Sequence, residues 1–334
     1  MSSNSSLFPR ISSDKCRDGV FGAIEIEGPA SAPYDIDLGP VLLSDWTHQT
    51  AEVNYQRART GDTPRMQNGL INGMNILNGP NGTTGKRFEL AFTKNKRHRL
   101  RLINTAMDTM YKVTLDQHVM TVIAADFVPI QPFKTKVLPI AIGQRYDVII
   151  EADQTDKTDF FLRAISQDKC GGGNEQRNDI RAIVRYDTTS RREPASTIEP
   201  GLDDAELEDC LDVPMASLVP VLKLDVPTSA GSGLAGSDDH KKAVGIAQAE
   251  DGLTLSWTIN DNTFLSEWAN PSMFNSFTAG YQHDANIIAA LKQILDGKTT
   301  AEAYKPVQQV VALKNPDTFT TFIITTDGMV SSFF

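Results

Sequence analysis

The stretch "FELAFTKNKRHRLRLIN", Phe88 to Asn104, indicates the fold class of this chain. Apolar side chains recur at every second position on both sides of a basic turn, at Phe88, Leu90 and Phe92 and again at Leu100 and Leu102. This period of two residues is typical of a β-strand with one buried face. The stretch therefore predicts two short strands joined as a basic hairpin.

The same pattern recurs on either side of this stretch. The segments "YKVTLDQHVMTVIAADFVPI", "GQRYDVIIEAD", "FFLRAIS" and "DIRAIVRYD" are rich in the apolar and β-branched residues that suit a pleated face. Turn residues separate such segments about every ten positions, which is typical of an antiparallel sandwich or barrel. Residues 41–186 are therefore predicted to consist of strands and turns.

The flanking regions have different compositions. Apolar and acidic residues alternate from Val20 to Glu27, which predicts a strand, and Gly28-Pro29 ends it because proline cannot donate to a ladder. Residues 188–248 are acidic, then rich in glycine and serine, as linkers are. Strand-like sequence resumes at "GLTLSWTIN", and "DANIIAALKQILDG" spaces its apolar residues for one short amphipathic helix.

The overall composition excludes several classes of function. The chain has 334 residues, of which 40% are hydrophobic, enough for a substantial core. A formal net charge of −10 argues against nucleic acid or an anionic membrane as a partner. There is no run of about 18 apolar residues that could span a bilayer. The N-terminus also lacks the basic-then-apolar pattern of a signal peptide.

The three cysteines do not form a metal or dithiol motif. Cys16, Cys170 and Cys210 include no C-x-x-C pair, which disfavours zinc binding and dithiol redox chemistry. A disulfide between Cys170 and Cys210 would close a loop of roughly forty residues, worth roughly 4 kcal/mol in the chain-entropy model. Two buried free thiols are the alternative, and the cysteines alone leave both open.

Seven motifs in one order point to a family. They are "DGVFGAIEIEGP", "LGPVLLSDWTH", "LINGMN", "RLRLIN", "LDQHVMTVIAADFVPI", "GQRYDVIIEAD" and "FFLRAIS". In these motifs the chain resembles an ascomycete-type fungal laccase of the multicopper oxidase family. "CLDVPMASLVP" and "WTINDNTFLSEWANPS" extend the resemblance more weakly to about Ser272. The resemblance implies an all-β fold of cupredoxin-like Greek-key sandwiches, one complete and a second partial, with a linker and one short helix.

The resemblance also implies a domain organisation. Residues 1–29 would be a tail plus the last strand of a missing first cupredoxin domain. Residues 30–187 would form the second, plastocyanin-like domain, and residues 188–250 a linker. Residues 251–334 would begin an incomplete third cupredoxin domain. On this interpretation the chain is truncated at both ends relative to the family.

Laccase chemistry needs copper, and the sequence lacks the family's copper motifs. The family holds one type-1 copper and a trinuclear cluster with roughly ten histidines and one cysteine. The motifs are H-W-H and H-S-H in the first domain and H-P-x-H-L-H-G-H and H-C-H in the third. This chain has five histidines, no two within four residues of each other. No bound copper is therefore predicted for this chain, although copper is the cofactor of the parent family.

Each histidine has a structural interpretation. His48, which ends "SDWTH", is expected to make a structural hydrogen bond, and His98, in the basic hairpin, is expected to be solvated. His118 lies in a predicted turn where the family has a similar residue that is not a copper ligand. His240 is expected to be exposed in the linker, and His283 to cap the helix or stay solvated. A site built from His48 and His118 remains an alternative.

The resemblance points to two residues near a phenol substrate. Asp45 matches a carboxylate that can accept the proton of the phenol as it loses an electron. The alternative role for Asp45, equally supported, is to accept hydrogen bonds from backbone amides at the end of a strand. Trp268 matches a tryptophan near the substrate pocket, although a core position is common for tryptophan.

Other family features carry over to the cysteines and to a glycosylation sequon. Cys170 and Cys210 match a disulfide of the second domain in related laccases. Asn81 begins the sequon Asn81-Gly82-Thr83 in a glycine-rich turn, and it would carry a glycan if the protein were exported. The parent family is secreted, whereas this sequence shows no signal peptide.

These observations predict a fragment of a laccase-like multicopper oxidase that is inactive as given. The parent activity is copper-dependent one-electron oxidation of phenols coupled to reduction of O2 to water. The alternative function is a non-enzymatic cupredoxin-fold binding or scaffold protein. In either case no nucleic acid and no membrane are expected as partners.

Overall fold

The structure is a computed structural model, and it describes residues 18–60, 62, 65–195, 210–224, 241–248, 255–259 and 323–326. Most of these residues form a sandwich of two sheets. The elements of the sandwich are β1 (Ile36–Trp46), α1 (Ala51–Arg59), β2 (Asn68–Ile71), β3 (Ile76–Gly79), β4 (Gly82–Gly85), β5 (Glu89–Ala91), β6 (Arg97–Asn104), β7 (Tyr111–Leu115), β8 (Met120–Ala125), β9 (Val128–Thr135), β10 (Leu138–Ile140), β11 (Arg145–Glu151), β12 (Asp159–Ser166) and β13 (Arg181–Arg185). The fold class of the described residues is therefore all-β, as predicted, and they include one short α-helix, α1.

The two sheets are mixed, with mostly antiparallel pairs. One has six strands in the order β2-β1-β6-β11-β8-β9, and the other has five in the order β10-β7-β12-β13-β5. The pairs β1–β6 and β13–β5 are parallel. β3 and β4 form a separate two-stranded hairpin. A further three-stranded sheet joins β14 (Lys241–Gln248), β15 (Leu255–Ile259) and β16 (Ile323–Thr326) in the order β15-β14-β16.

The core lies between the two larger sheets. Alternate side chains of the strands point inward, so the residues that sequence periodicity marks as apolar meet across the interior. The largest fully buried side chains are those of Tyr111, Phe160, Leu43, Met66, Ile71, Leu100, Leu102, Leu115, Met120, Ile123, Ile130 and Leu138. The core side chains are accompanied by a buried ion pair, in which the Arg163 guanidinium donates to both carboxylate oxygens of Asp116 at 2.7 Å.

The predicted basic hairpin is wrong, because its two strands belong to different sheets. β5 pairs in parallel with β13, whereas β6 lies between β1 and β11. The chain therefore crosses the sandwich at residues 92–96, between β5 and β6, instead of folding back beside itself. Residue alternation predicts which positions are strands, but it does not identify the partner of each strand.

The helix α1 was not expected, since residues 41–186 were predicted to be strands and turns only. Two side chains cap its N-terminus: the Thr50 hydroxyl accepts from Val53 N–H, and the Asp18 carboxylate accepts from Ala51 N–H at 2.8 Å. The helix predicted from "DANIIAALKQILDG" lies outside the described residues. No helix in the described part of the chain is long and apolar enough to cross a membrane.

Residues 20–27, predicted to be the last strand of a first domain, pair with no described strand, and that role stays a prediction. A strand needs a ladder partner, and alternation alone cannot supply one. Val20, Ile24 and Ile26 are 59%, 68% and 57% exposed. Glu25 and the Ile26 carbonyl instead contact the Arg101 guanidinium of β6, at 3.0 and 3.2 Å.

Candidate functional site

Asp45 lies near the end of β1, where its carboxylate is held by backbone amides. One oxygen lies 3.2 Å from the Met107 nitrogen, and the other accepts from Met107 and Asp108 at 3.1 and 2.8 Å. Asp45 is only 4% exposed. The contacts of a strand-end acceptor are therefore present, and the substrate role of Asp45 stays a prediction. An ionised carboxylate has about four acceptor positions, so three amide contacts leave capacity for one more donor.

The loop that supplies these amides begins at Asn104, the last residue of β6. The Asn104 side chain donates to the carbonyls of Thr109 and Ile140 at 3.0 and 2.9 Å, and it accepts from Ala106 N–H at 2.9 Å. Asn104 is 1% exposed, so these bonds have no competition from solvent. Sequence reasoning missed this residue, although an asparagine at the end of an apolar strand is a signal for a side-chain-supported turn.

A disulfide lies beside the same loop. Cys170 and Cys210 are bonded, with their Cα atoms 6.0 Å apart, which is the pairing that the family resemblance implies. Next to it, the Asp108 carboxylate accepts from Gly172 N–H at 2.7 Å. Asp108 thus connects the disulfide loop to Asp45. The structure brings these two predicted features together at one end of the sandwich.

His48 and His118 have separate partners. His48 is exposed, and both its backbone N–H and its Nδ1 contact Gln67 Oε1, at 2.7 and 2.9 Å. His118 is 3% exposed; its Nδ1 donates to the Asp116 carbonyl at 2.7 Å, and its Nε2 lies 2.5 Å from the Tyr186 hydroxyl. Burial lowers the pKa of His118. The structural hydrogen bond expected of His48 is present, and the partner Tyr186 of His118 was missed.

His98 is fully buried, so the prediction of a solvated side chain is wrong. It stacks on Phe92 with ring centroids 4.3 Å apart, and its Nε2 accepts from Thr93 N–H at 2.9 Å. Burial lowers the pKa of His98. Because Nε2 accepts a hydrogen bond, the ring carries no proton there and is neutral.

Copper does not fit the described residues. Type-1 and trinuclear copper sites need clustered imidazole and thiolate ligands. Within the described ranges, no three His, Cys, Asp or Glu side chains lie close enough to hold a metal ion. His98 Nε2 and both nitrogens of His118 face protein hydrogen-bond partners, and Cys170 is in a disulfide. Trp268, His240 and His283 lie outside the described residues.

The sequon residue Asn81 lies at a surface turn. It is exposed at the tip of the hairpin formed by β3 and β4. The Thr83 hydroxyl, which completes the sequon, donates to the Asn78 side chain at 2.8 Å. No described neighbour covers the asparagine, so the geometry permits attachment of a glycan.

Comparison with known proteins gives consistent matches. Residues 37–189 match the multicopper oxidase family model. The chain is 37% identical to laccase-2 of Botryotinia fuckeliana over 281 residues, covering 81% of this chain and 45% of that protein. It is 39% identical to a laccase of Cryphonectria parasitica over 255 residues, which cover 76% of this chain and 40% of that protein. The crystal structure of a laccase from Botrytis aclada matches with a TM-score of 0.65 and 35% identity, over 78% of this chain and 46% of that one.

Proposed function

Because this chain belongs to the multicopper oxidase family, we propose that it forms the second-domain part of a laccase-like phenol oxidase. The observation that carries this proposal is the agreement between the family match, residues 37–189, and the two-sheet sandwich from Ile36 to Arg185. The chain spans about half the length of the relatives it matches. The oxidase activity, its phenolic substrate and its export therefore belong to the proposal.

In this function Asp45 accepts the proton of a phenol. A phenol that loses one electron becomes a strong acid, and a nearby carboxylate can take the released proton. The amides of Met107 and Asp108 hold the carboxylate in one orientation, which supports a positioned acceptor. Trp268 would supply a flat apolar wall for the aromatic ring. Both assignments rest on the resemblance to laccases.

The proposal includes inactivity of this chain on its own. The sequence has five histidines, no two of them in an H-x-H motif, against roughly ten in the copper sites of the family. Copper would supply the one-electron oxidation and the reduction of O2, and its ligands would have to come from other segments. The exposed residues Val20, Ile24 and Ile26 support a role for residues 20–27 in pairing with a first cupredoxin domain.

A second candidate is a copper-independent binding or scaffold protein. The observation in its favour is that the core between the two large sheets is one continuous cluster of apolar side chains. A domain of this kind can fold alone, whether or not it catalyses a reaction. Histidine codons for H-W-H and H-S-H upstream of Asp18 in the genomic sequence would favour the oxidase proposal over this one.

The test is to purify the chain, supply Cu(II), and record visible absorption and O2 consumption with a simple phenol. We expect no intense blue absorption and no uptake of O2, because the type-1 ligands are missing. A commercial fungal laccase under the same conditions is the positive control. A stoichiometric blue centre in this chain would contradict the proposed inactivity.

A further inference from the structure

The Tyr186 hydroxyl faces an imidazole whose tautomer is determined by its other contact. A backbone carbonyl can only accept, so His118 Nδ1, 2.7 Å from the Asp116 carbonyl, must carry the proton. In the neutral ring, Nε2 then has a free lone pair. This lone pair points at the Tyr186 oxygen 2.5 Å away, and the tyrosine therefore donates. Burial keeps the His118 pKa low, so the ring stays a neutral base near pH 7.

The pair is held rigidly. The Asp116 carboxylate is bound by both Nε and Nη2 of Arg163 at 2.7 Å, which anchors the backbone that orients His118. Tyr186 N–H donates to the Thr158 carbonyl at 2.7 Å at the end of β13. The Phe160 ring packs edge-on against His118 at 4.7 Å and lies 5.2 Å from the Tyr186 ring. Little reorganisation is needed for a proton to move between the two side chains.

The hydroxyl groups of two other tyrosines in the same sandwich do not face a base. The Tyr111 hydroxyl donates to the Ser44 carbonyl at 3.0 Å, and a carbonyl is not a base for a phenol proton. The Tyr34 hydroxyl accepts from the Arg99 guanidinium at 3.3 Å, and a nearby cation disfavours removal of an electron. Tyr186 differs from both, because its proton already faces a neutral base.

We propose that Tyr186 is a redox-active tyrosine with His118 as its proton acceptor. A diffusible one-electron oxidant takes one electron from the phenol and is itself reduced. The O–H bond breaks, and the proton moves to His118 Nε2. The products are a neutral phenoxyl radical and an imidazolium, so charge and atoms balance. The return of one electron from a reductant and of the proton from His118 restores the pair.

The test uses a photogenerated ruthenium(III) tris-bipyridine complex as the oxidant, with EPR detection of the radical. Tyr55 is 49% exposed and would react directly, so all proteins carry Tyr55→Phe. In this background we expect Tyr186→Phe to lose most of the tyrosyl signal. Tyr111→Phe, which removes a buried hydroxyl without a base, is the matched control and should keep the signal. Retention of the full signal in folded Tyr186→Phe protein would overturn the proposal.

The role of His118 is tested separately. His118→Gln removes the base but keeps a polar side chain, so we expect slower radical formation and a smaller signal. If a variant does not fold, high-field EPR of the protein with both residues intact decides, using ring-deuterated tyrosine to identify the radical. A phenoxyl oxygen that accepts a hydrogen bond from an imidazolium has a narrowed g-anisotropy. A radical with the anisotropy of a free phenoxyl group would be evidence against the pair.

Discussion

At the residue scale, His98 shows that the alternation of side chains along a strand decides burial even where the neighbouring residues are charged. Its neighbours Arg97 and Arg99 make the segment look solvated, yet His98 is fully buried. In β6 it lies on the same face of the strand as Leu100 and Leu102, which face the core. Arg99 and Arg101 face the other way and pair with Asp147 and Asp37. The period of two in "RHRLRL" was a signal for this burial.

His98 makes the stability of the protein depend on pH. Its pKa is lowered in the folded state relative to the ordinary value of 6.5, so the unfolded chain binds a proton more readily. The free energy of unfolding is therefore highest above pH 6.5 and decreases as the pH falls below it. We expect His98→Gln to flatten this dependence, since glutamine can still accept from Thr93 N–H. Urea midpoints measured from pH 7.5 to 5.5 check it.

The control for this prediction is His48→Gln, which changes an exposed histidine. That variant should keep the pH dependence of the natural protein. His118 is also buried with a lowered pKa and acts in the same direction, so His98→Gln should reduce the slope without abolishing it. An unchanged slope in His98→Gln would show that His98 does not contribute.

At the element scale, the end of the sandwich near Asp45 depends on one short loop and one disulfide. The loop after β6 turns on the Asn104 side chain and presents the amides of Met107 and Asp108 to Asp45. Asp108 then accepts from Gly172, two residues after Cys170. A strand, a loop and a cross-link that are distant in sequence thus support one carboxylate.

The disulfide should form under oxidising conditions and stabilise the protein. Closure of the 40-residue separation between Cys170 and Cys210 contributes roughly 4 kcal/mol in the chain-entropy model. We expect Cys210→Ser to lower the free energy of unfolding by an amount of this order, as measured in urea. Mass spectrometry after alkylation, with and without reduction, identifies the bonded cysteines. Alkylation of both in the folded, unreduced protein would contradict the prediction, and Cys16→Ser is the control.

At the scale of the whole molecule, the segment 18–31 runs along the six-stranded sheet. Asp18 contacts the start of α1, Glu25 contacts Arg101 of β6, and Ser31 donates to the Ile123 carbonyl of β8. The segment thereby helps to cover Arg101, which is only 8% exposed, while its own apolar side chains face outward. The sandwich thus has a buried core, whereas the first described residues leave their apolar side chains exposed.

Glycosylation of Asn81 is expected if the protein is exported. If the chain is routed through a fungal secretory pathway behind a heterologous signal, we expect a glycan at Asn81, because the β3–β4 tip is exposed. Intact mass before and after treatment with a peptide N-glycosidase measures occupancy. Thr83→Ala removes the sequon and should abolish this shift, while Asn4→Gln controls for a second sequon of the sequence, Asn4-Ser5-Ser6. A secreted protein without a glycan at Asn81 would refute the prediction.

The sequence by itself determined the fold class, the family and the shortage of copper ligands. These follow from local alternation, ordered motifs and residue counts, none of which needs a partner in space. Only the tertiary structure decided that β5 and β6 lie in different sheets, that α1 forms, and that Tyr186 meets His118 across 68 positions. Such contacts depend on which strands pair. The alternation of side chains within one segment does not specify the partner strand, so it does not show which distant residues meet.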